Sequence, residues 1–109
     1  HYGHLGGWID YTTHERSGHH DWWRDGQPVE EEGYATDLLA QDAVRTIEER
    51  DPAKPLLLCV TFNAPHAPIH LAPGREARRQ GEVRLLYETM VAALDDAIGQ
   101  ILDALDTEG

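Results

Sequence analysis

Apolar residues follow one another almost without interruption over residues 56–62 (LLLCVTF), and a proline lies close to each end of the run. A short continuous apolar run of this kind predicts a buried strand, covered on both faces of a sheet. Cys59 falls in the middle of the run, where a thiol normally packs without reacting. We therefore take residues 56–62 as the central strand of the chain.

The next stretch, residues 63–68 (NAPHAP), leaves the C-terminal end of that strand. Pro65 and Pro68 fix the backbone on either side of His66. Ligands of open parallel α/β sheets bind outside the carboxyl ends of the strands, and functional residues concentrate in loops there. His66 is therefore a candidate catalytic residue. The alternative is a turn histidine that only packs or forms local hydrogen bonds.

Helical spacing of apolar residues marks two further elements. Ala40, Ala43, Val44 and Ile47 recur three and four residues apart, which predicts a helix from Thr36, as capping residue, to near Arg50. A longer amphipathic pattern begins at residue 83 and predicts a helix that ends near residue 109. Its apolar stripe should pack in the core; the stripe comprises Val83, Leu86, Tyr87, Met90, Val91, Leu94, Ile98, Ile101, Leu102 and Leu105.

The order helix, strand, loop, helix over residues 34–109 predicts an α/β core section. Residues 1–33 show neither helical nor strand periodicity in their apolar positions. They contain all three tryptophans and five of the seven histidines, and we expect them to form an irregular region that lines a pocket. A hairpin can form within it at Asp25-Gly26. One strand cannot make a sheet. The chain is therefore expected to be an internal section of a longer protein, an expectation that the absence of an initiator methionine supports.

Charge narrows the range of partners. The 109 residues include 9 Lys+Arg and 20 Asp+Glu, so the formal net charge is 9 − 20 = −11. Nucleic acids and anionic membranes both require a basic surface, so we expect neither as a partner. No apolar run approaches the length of a membrane span. The single cysteine excludes an internal disulfide.

Two other kinds of site are weaker candidates. His19, His20 and Asp21, with His14 and Glu15 nearby, are suitable zinc ligands, but their spacing matches no established motif. The glycine-rich residues 3–7 (GHLGG) suggest a phosphate-binding loop, but no helix pattern follows them.

Six stretches occur in a recognisable order along the chain. They are residues 2–11 (YGHLGGWIDY) together with His14, 21–26 (DWWRDG), 33–39 (GYATDLL), 54–58 (KPLLL), 63–68 (NAPHAP), and 87–90 (YETM) with 94–99 (LDDAIG). Together they resemble the sulfatase family, of the arylsulfatase type within the alkaline-phosphatase-like superfamily. The resemblance implies a section of an alkaline-phosphatase-like α/β/α sandwich that hydrolyses a sulfate ester, with an aryl or carbohydrate group as the alcohol.

The resemblance also implies a role for His66. In such enzymes the histidine of the Pro-His-x-Pro turn contacts the sulfate ester and helps to protonate the leaving oxygen. An imidazole suits this role because it can act as a general acid near neutral pH.

Other parts of the family's site are expected to lie outside this chain. The family nucleophile is a formylglycine made within a Cys/Ser-x-Pro-x-Arg motif, which neither Cys59 nor Ser17 begins. Calcium or magnesium is held in the family by Asp and Asn side chains; Asp95-Asp96 matches a helix position instead, and we assign no metal ligand. His4 lacks the family's accompanying lysine and is not assigned to catalysis. We therefore expect the isolated chain to be inactive.

Several alternatives stay open. The chain could instead be a non-catalytic His/Trp-rich module that binds a metal or a carbohydrate. The longer protein could also cleave phosphate or phosphonate esters, since relatives within the superfamily share the scaffold. Trp8, Trp22 and Trp23 could stack on a sugar or aryl group, although packing within the loop is the simpler interpretation. The substrate, the oligomeric state and the localisation cannot be read from the sequence.

Overall fold

The computed structural model describes residues 1–76 and 82–109. The predicted loop between residues 69 and 81 therefore lies partly outside the described residues. Five short strands precede two helices; the elements are β1 (Tyr2–Gly3), β2 (Glu15–Arg16), β3 (His19–His20), β4 (Trp23–Arg24), β5 (Gln27–Pro28), α1 (Ala35–Glu48) and α2 (Val83–Glu108). Neither helix combines the length and the apolar character that a bilayer crossing would require.

The N-terminal region consists of two small antiparallel sheets, one in the order β1-β4-β5 and the other formed by β2 and β3. The predicted hairpin at Asp25-Gly26 is confirmed and joins β4 to β5. Both turn residues have positive φ, 49° and 80°, as a two-residue turn of the I′ type requires. Glycine meets this requirement without steric cost.

Two carboxylates link separate segments of this region by hydrogen bonds. Asp21, which is buried, accepts hydrogen bonds from the N–H groups of Leu5 (3.0 Å) and Gly6 (2.9 Å) and from the Trp23 indole (2.8 Å). Glu31 is exposed. It nevertheless accepts hydrogen bonds from the Trp22 indole (2.8 Å) and from the hydroxyl of Tyr2.

Helix α1 is confirmed, with a different start. It begins at Ala35, and the capping position is Tyr34, which makes no side-chain capping bond. The expectation that the Thr36 hydroxyl caps the helix is therefore wrong: Thr36 lies inside the first turn and is buried. The helix ends near the predicted position, and its buried face comprises Ala35, Thr36, Leu39, Ala40, Ala43 and Ile47.

Helix α2 has the predicted bounds, but only part of its predicted apolar stripe is buried: Met90 lies in the core and Leu94 packs against it. Its buried residues are Thr89, Met90, Ala93, Ala97 and Ala104. Five members of the predicted core stripe are instead between 40% and 55% exposed; these are Tyr87, Val91, Ile98, Leu102 and Leu105. Small residues allow α1 to approach closely, and the larger side chains would need another element to cover them. No such element occurs in residues 1–76 or 82–109.

The two helices run parallel. Leu39, early in α1, shares a core cluster with Met90 and Ala93 of α2. At the other end, the guanidinium of Arg50 donates a hydrogen bond of 2.9 Å to the carbonyl oxygen of Glu108. Two parallel helices require a connection that returns along them, and a segment of this kind is the usual connection in α/β folds.

That returning segment contains the predicted buried strand, and here the prediction is wrong for the described chain. Residues 56–62 form no strand, Leu57 is 96% exposed, and Cys59 is exposed rather than packed. The physical reason is the lack of neighbours: a strand needs hydrogen-bonded partners on its edges and packed layers on its faces. Within residues 1–76 and 82–109, no other strand pairs with this segment.

Close packing between the helices generates a stability prediction. Replacing Ala97 with Leu should lower the free energy of unfolding by roughly 1–3 kcal/mol, because a larger side chain overpacks the buried helix face. Urea unfolding followed by circular dichroism measures this. Gln100→Leu adds a similar side chain at an exposed position of α2 and should change stability by less than about 0.5 kcal/mol. Equal effects of the two substitutions would contradict the assigned face.

Asp21 generates a prediction about pH. Burial raises the pKa of its carboxyl group, but hydrogen bonds from Leu5 N–H, Gly6 N–H and the Trp23 indole outweigh this, and the pKa lies below its ordinary value. The resulting stabilisation is fully present above the pKa of the unfolded state, about 3.9, and is lost as the pH falls through the lower folded-state pKa. Asp21→Asn should therefore lower the free energy of unfolding by about 1–3 kcal/mol at pH 6. Below about pH 4, the free energy of unfolding of this variant should fall less steeply with pH than that of the wild type.

Unfolding at a series of pH values tests this prediction. The matched control is Asp95→Asn, which neutralises an exposed carboxylate on α2 and should keep the wild-type pH dependence. If Asp21→Asn and Asp95→Asn give the same curves, the buried carboxylate does not carry the proposed stabilisation.

Candidate active site

His66 lies on a tight turn and is exposed. The turn is closed by a hydrogen bond of 2.9 Å from the His66 N–H to the carbonyl oxygen of Asn63. The ring nitrogen Nδ1 lies 2.9 Å from the carbonyl oxygen of Ala67. A carbonyl oxygen only accepts hydrogen bonds, so Nδ1 carries the proton in the neutral ring and Nε2 is the nitrogen available to a ligand. Once protonated, Nε2 can donate a proton.

The segment around Ile9 and Tyr11 holds this turn by two hydrogen bonds. Asn63 is buried, and its Nδ2 donates a hydrogen bond of 3.1 Å to the carbonyl oxygen of Ile9. The hydroxyl of Tyr11 donates a hydrogen bond of 2.8 Å to the carbonyl oxygen of His66 itself. Both ends of the turn are therefore hydrogen-bonded to one N-terminal segment that lies more than 50 residues away in sequence.

Three rings pack beside the turn and form what we call the aromatic cluster: Tyr11, Tyr34 and His70. The Tyr11 ring centroid lies 5.3 Å from that of Tyr34 and 4.6 Å from that of His70. His70 Nδ1 lies 2.7 Å from the carbonyl oxygen of Pro68, and its Nε2 lies 2.8 Å from the hydroxyl of Tyr34. The cluster thus contacts the turn backbone on both sides of Ala67.

Burial keeps both phenols of the cluster protonated. Burial raises the pKa of Tyr34 to about 12, with a further increase from the negative charge of Asp37. Burial also raises the pKa of Tyr11 above its ordinary value, and the neighbouring Tyr34 adds to this effect. Both hydroxyls therefore stay hydrogen-bond donors throughout the neutral range.

Sequence reasoning did not single out the residues of the aromatic cluster. Tyr11 and Tyr34 appeared only as members of longer motifs, and His70 was not considered. One signal was present: His70 follows His66 by four residues in a stretch rich in proline. The hydroxyl contact from Tyr11 spans 55 positions, and no local pattern could have indicated it.

Two members of the proposed zinc site, His14 and Asp21, have other contacts. His14 is buried, its ring stacks on Trp22 with centroids 4.6 Å apart, and its Nε2 lies 2.9 Å from the carbonyl oxygen of Gly33. Asp21 is occupied by the backbone N–H groups of the preceding loop. Among the described residues, no three His, Cys, Asp or Glu side chains converge as metal ligands.

The glycine-rich loop is not available to a phosphate either. The N–H groups of Leu5 and Gly6, which an anion would need, already bind the carboxylate of Asp21. His4, which we did not assign to catalysis, has its Nδ1 2.7 Å from the carbonyl oxygen of Gly6. The acidic pair Asp95-Asp96 of α2 is also engaged within the chain, because Asp96 forms an ion pair with Arg75.

The three tryptophans differ in their surroundings. Trp22 is fully buried, so it packs within the loop region. Trp23 is half-buried, and its indole N–H donates a hydrogen bond to Asp21. Trp8 is 38% exposed and directly precedes Ile9, whose carbonyl oxygen binds Asn63 of the His66 turn. Trp8 therefore stays a candidate for stacking on a ligand.

The residues present do not fit the cofactors expected of a complete site. No metal-binding group of three side chains occurs in the described parts of the chain, and the residues after Cys59 do not form the motif that yields formylglycine. No catalytic step is therefore derived through a metal or a formylglycine held by these residues.

Comparison with known proteins gives consistent matches. The family model described as Sulfatase matches residues 3–109. The chain is 38% identical over 65 residues to an N-acetylglucosamine-6-O-sulfatase of Bacteroides thetaiotaomicron, covering 53% of this chain and 12% of the relative. It is 34% identical over 80 residues to arylsulfatase J of Mus musculus, covering 70% of this chain and 13% of the relative.

Two solved structures share the fold. A crystal structure of Ps i-CgsB matches with a TM-score of 0.77, and one of the same protein in complex with k-i-k-neocarrahexaose matches with 0.79. Each is 25% identical, and each match covers 98% of this chain and 28% of the other. The chain thus spans about an eighth of the curated relatives' length and about a quarter of the solved structures' length.

These matches confirm the predicted fold class, a partial section of an alkaline-phosphatase-like α/β sandwich. Because the family model covers nearly the whole chain, the chain belongs to the sulfatase family.

Proposed function

We propose that the protein containing this section hydrolyses a sulfate ester and that His66 protonates the leaving oxygen. The observation that carries the proposal is the position of the His66 ring: it is exposed on a hydrogen-bonded turn, and Ala67 fixes Nδ1 so that Nε2 is available to a ligand. A cationic imidazole next to a sulfate ester also stabilises the negative charge that develops as the ester bond breaks.

The proton inventory of this step is simple. As the bond between sulfur and the alcohol oxygen breaks, that oxygen takes the proton from Nε2 and leaves as a neutral alcohol. The imidazole becomes neutral and is protonated again from solvent. Over the complete reaction, water adds across the ester and gives the alcohol, a sulfate ion and a proton. The family implies a formylglycine and a calcium or magnesium ion, both of which we place outside this section.

A sulfated carbohydrate is the substrate class we favour. The bacterial relative is named for a 6-O-sulfated N-acetylglucosamine, and a structural relative was solved with k-i-k-neocarrahexaose. Trp8, next to the segment that holds the His66 turn, offers an exposed ring for stacking on a sugar. An aryl sulfate is the second possibility, which the similarity to arylsulfatase J supports.

The first test is substitution of His66 in the full-length enzyme. His66→Ala should lower kcat for a carbohydrate sulfate by roughly 10²- to 10⁴-fold, the usual contribution of a general acid. His19→Ala, at an exposed histidine in β3, is the matched control and should leave kcat unchanged. A His66→Ala enzyme with wild-type kcat would refute the assignment.

The second test uses the 109-residue chain alone. We expect no turnover of 4-nitrophenyl sulfate or of N-acetylglucosamine 6-sulfate, with calcium or with magnesium added. One imidazole cannot replace a nucleophile and a metal that act together with it. Product formation above that of a His66→Ala chain would contradict the proposal that the remaining catalytic groups lie elsewhere.

A further inference from the structure

We infer that Tyr11 and His70 are positioning residues that hold the His66 turn so that the ring of His66 is aimed at the leaving oxygen. This inference rests on the proposed function of His66. It concerns two side chains that need not touch the substrate, because both act on the backbone of the turn.

The first part of the argument is the contact of Tyr11. Its ring is buried, and its hydroxyl donates a hydrogen bond of 2.8 Å to the carbonyl oxygen of His66, the residue whose ring we propose to be catalytic. The carbonyl of Tyr11 in turn accepts a hydrogen bond of 2.8 Å from the N–H of Ala35, at the start of α1. Tyr11 therefore links the turn to a rigid helix, and removing its hydroxyl would leave the turn carbonyl without that donor.

The second part is the hydrogen-bonding state of His70. Its Nδ1 faces the carbonyl oxygen of Pro68, which can only accept, so Nδ1 carries a proton. In the neutral ring Nε2 is then an acceptor, and the hydroxyl of Tyr34 donates to it. Tyr34 thus selects the tautomer of His70 that holds Pro68, just as a hydrogen bond at one ring nitrogen commonly fixes the proton on the other.

The two contacts together fix the orientation of the turn. Tyr11 holds the carbonyl of His66 and His70 holds the carbonyl of Pro68, on either side of Ala67. Ala67 supplies the carbonyl that orients the His66 ring through Nδ1. Constraint of both neighbours therefore limits the rotation of the Ala67 carbonyl and, through it, the direction of Nε2. A displacement of about 1 Å at a catalytic group can cost roughly 100-fold in rate.

The dependence of kcat on the leaving group separates positioning from general loss of structure. An alcohol of a sugar is a poor leaving group and needs the proton, whereas 4-nitrophenolate leaves readily without one. Tyr11→Phe keeps the buried ring and removes only the hydroxyl. In the full-length enzyme it should lower kcat for a carbohydrate sulfate by about 10- to 100-fold, with little change in KM and only a small effect on 4-nitrophenyl sulfate. Tyr87→Phe, at an exposed tyrosine of α2, is the matched control and should match the wild type.

The double variant distinguishes the inference from the function on which it rests. In a His66→Ala background, Tyr11→Phe should cause no further loss, because residues that act as one unit are not additive. If His66→Ala itself leaves kcat unchanged, the proposed function fails. If His66→Ala lowers kcat but Tyr11→Phe has no effect, affects both substrates equally, or adds its full effect to His66→Ala, the positioning role alone is overturned.

His70→Ala provides the same test at the other side of the turn and covers the case in which Tyr11→Phe fails to fold. It should show the same selective loss on the carbohydrate sulfate. His70→Asn, whose amide can still donate to the carbonyl of Pro68, should recover part of the activity. Equal activities of His70→Ala and His70→Asn would count against His70 as a positioning residue.

Discussion

Tyr11 makes the contacts on which the arrangement of this chain depends. Its hydroxyl binds the carbonyl of His66, its carbonyl accepts the N–H of Ala35, and its ring stacks on Tyr34 in the core. The N-terminal region, helix α1 and the histidine turn therefore meet at one buried residue. A tyrosine suits this place because its ring supplies buried apolar area while its hydroxyl still satisfies a polar backbone group.

The strong negative charge of the chain is partly used for internal structure. Asp21 and Glu31 accept hydrogen bonds from backbone N–H groups and indoles within the N-terminal region. Asp42 of α1 pairs with Arg24 of β4 at 2.9 Å and with Arg45 at 2.5 Å. Carboxylates thus add to the sheet hydrogen bonds in a region whose strands are only two residues long. This explains how a region without periodicity becomes ordered around Trp22.

The exposed apolar surfaces agree with the family assignment. Leu57 and the outer face of α2 are exposed, and both would be covered in a larger α/β sandwich. The solved relatives are more than three times as long as the part that this chain matches. Apolar surface of this kind is costly to leave in water, at about 25 cal/mol per Å². Covering this surface with the remaining layers of such a sandwich would therefore stabilise the fold.

Both helices and the Asp25-Gly26 hairpin could be predicted from the sequence, and His66 could be named as a candidate, because periodicity, turn chemistry and family motifs are local signals. The remaining features depend on the tertiary structure. It showed that α2 packs through its alanines, because close approach to α1 depends on side-chain size at the contact. It showed that residues 56–62 lack strand partners, because pairing is a long-range property. It also brought Tyr11, Tyr34 and His70 to the His66 turn, since contacts across as many as 55 residues are set by the path of the chain and not by any local pattern.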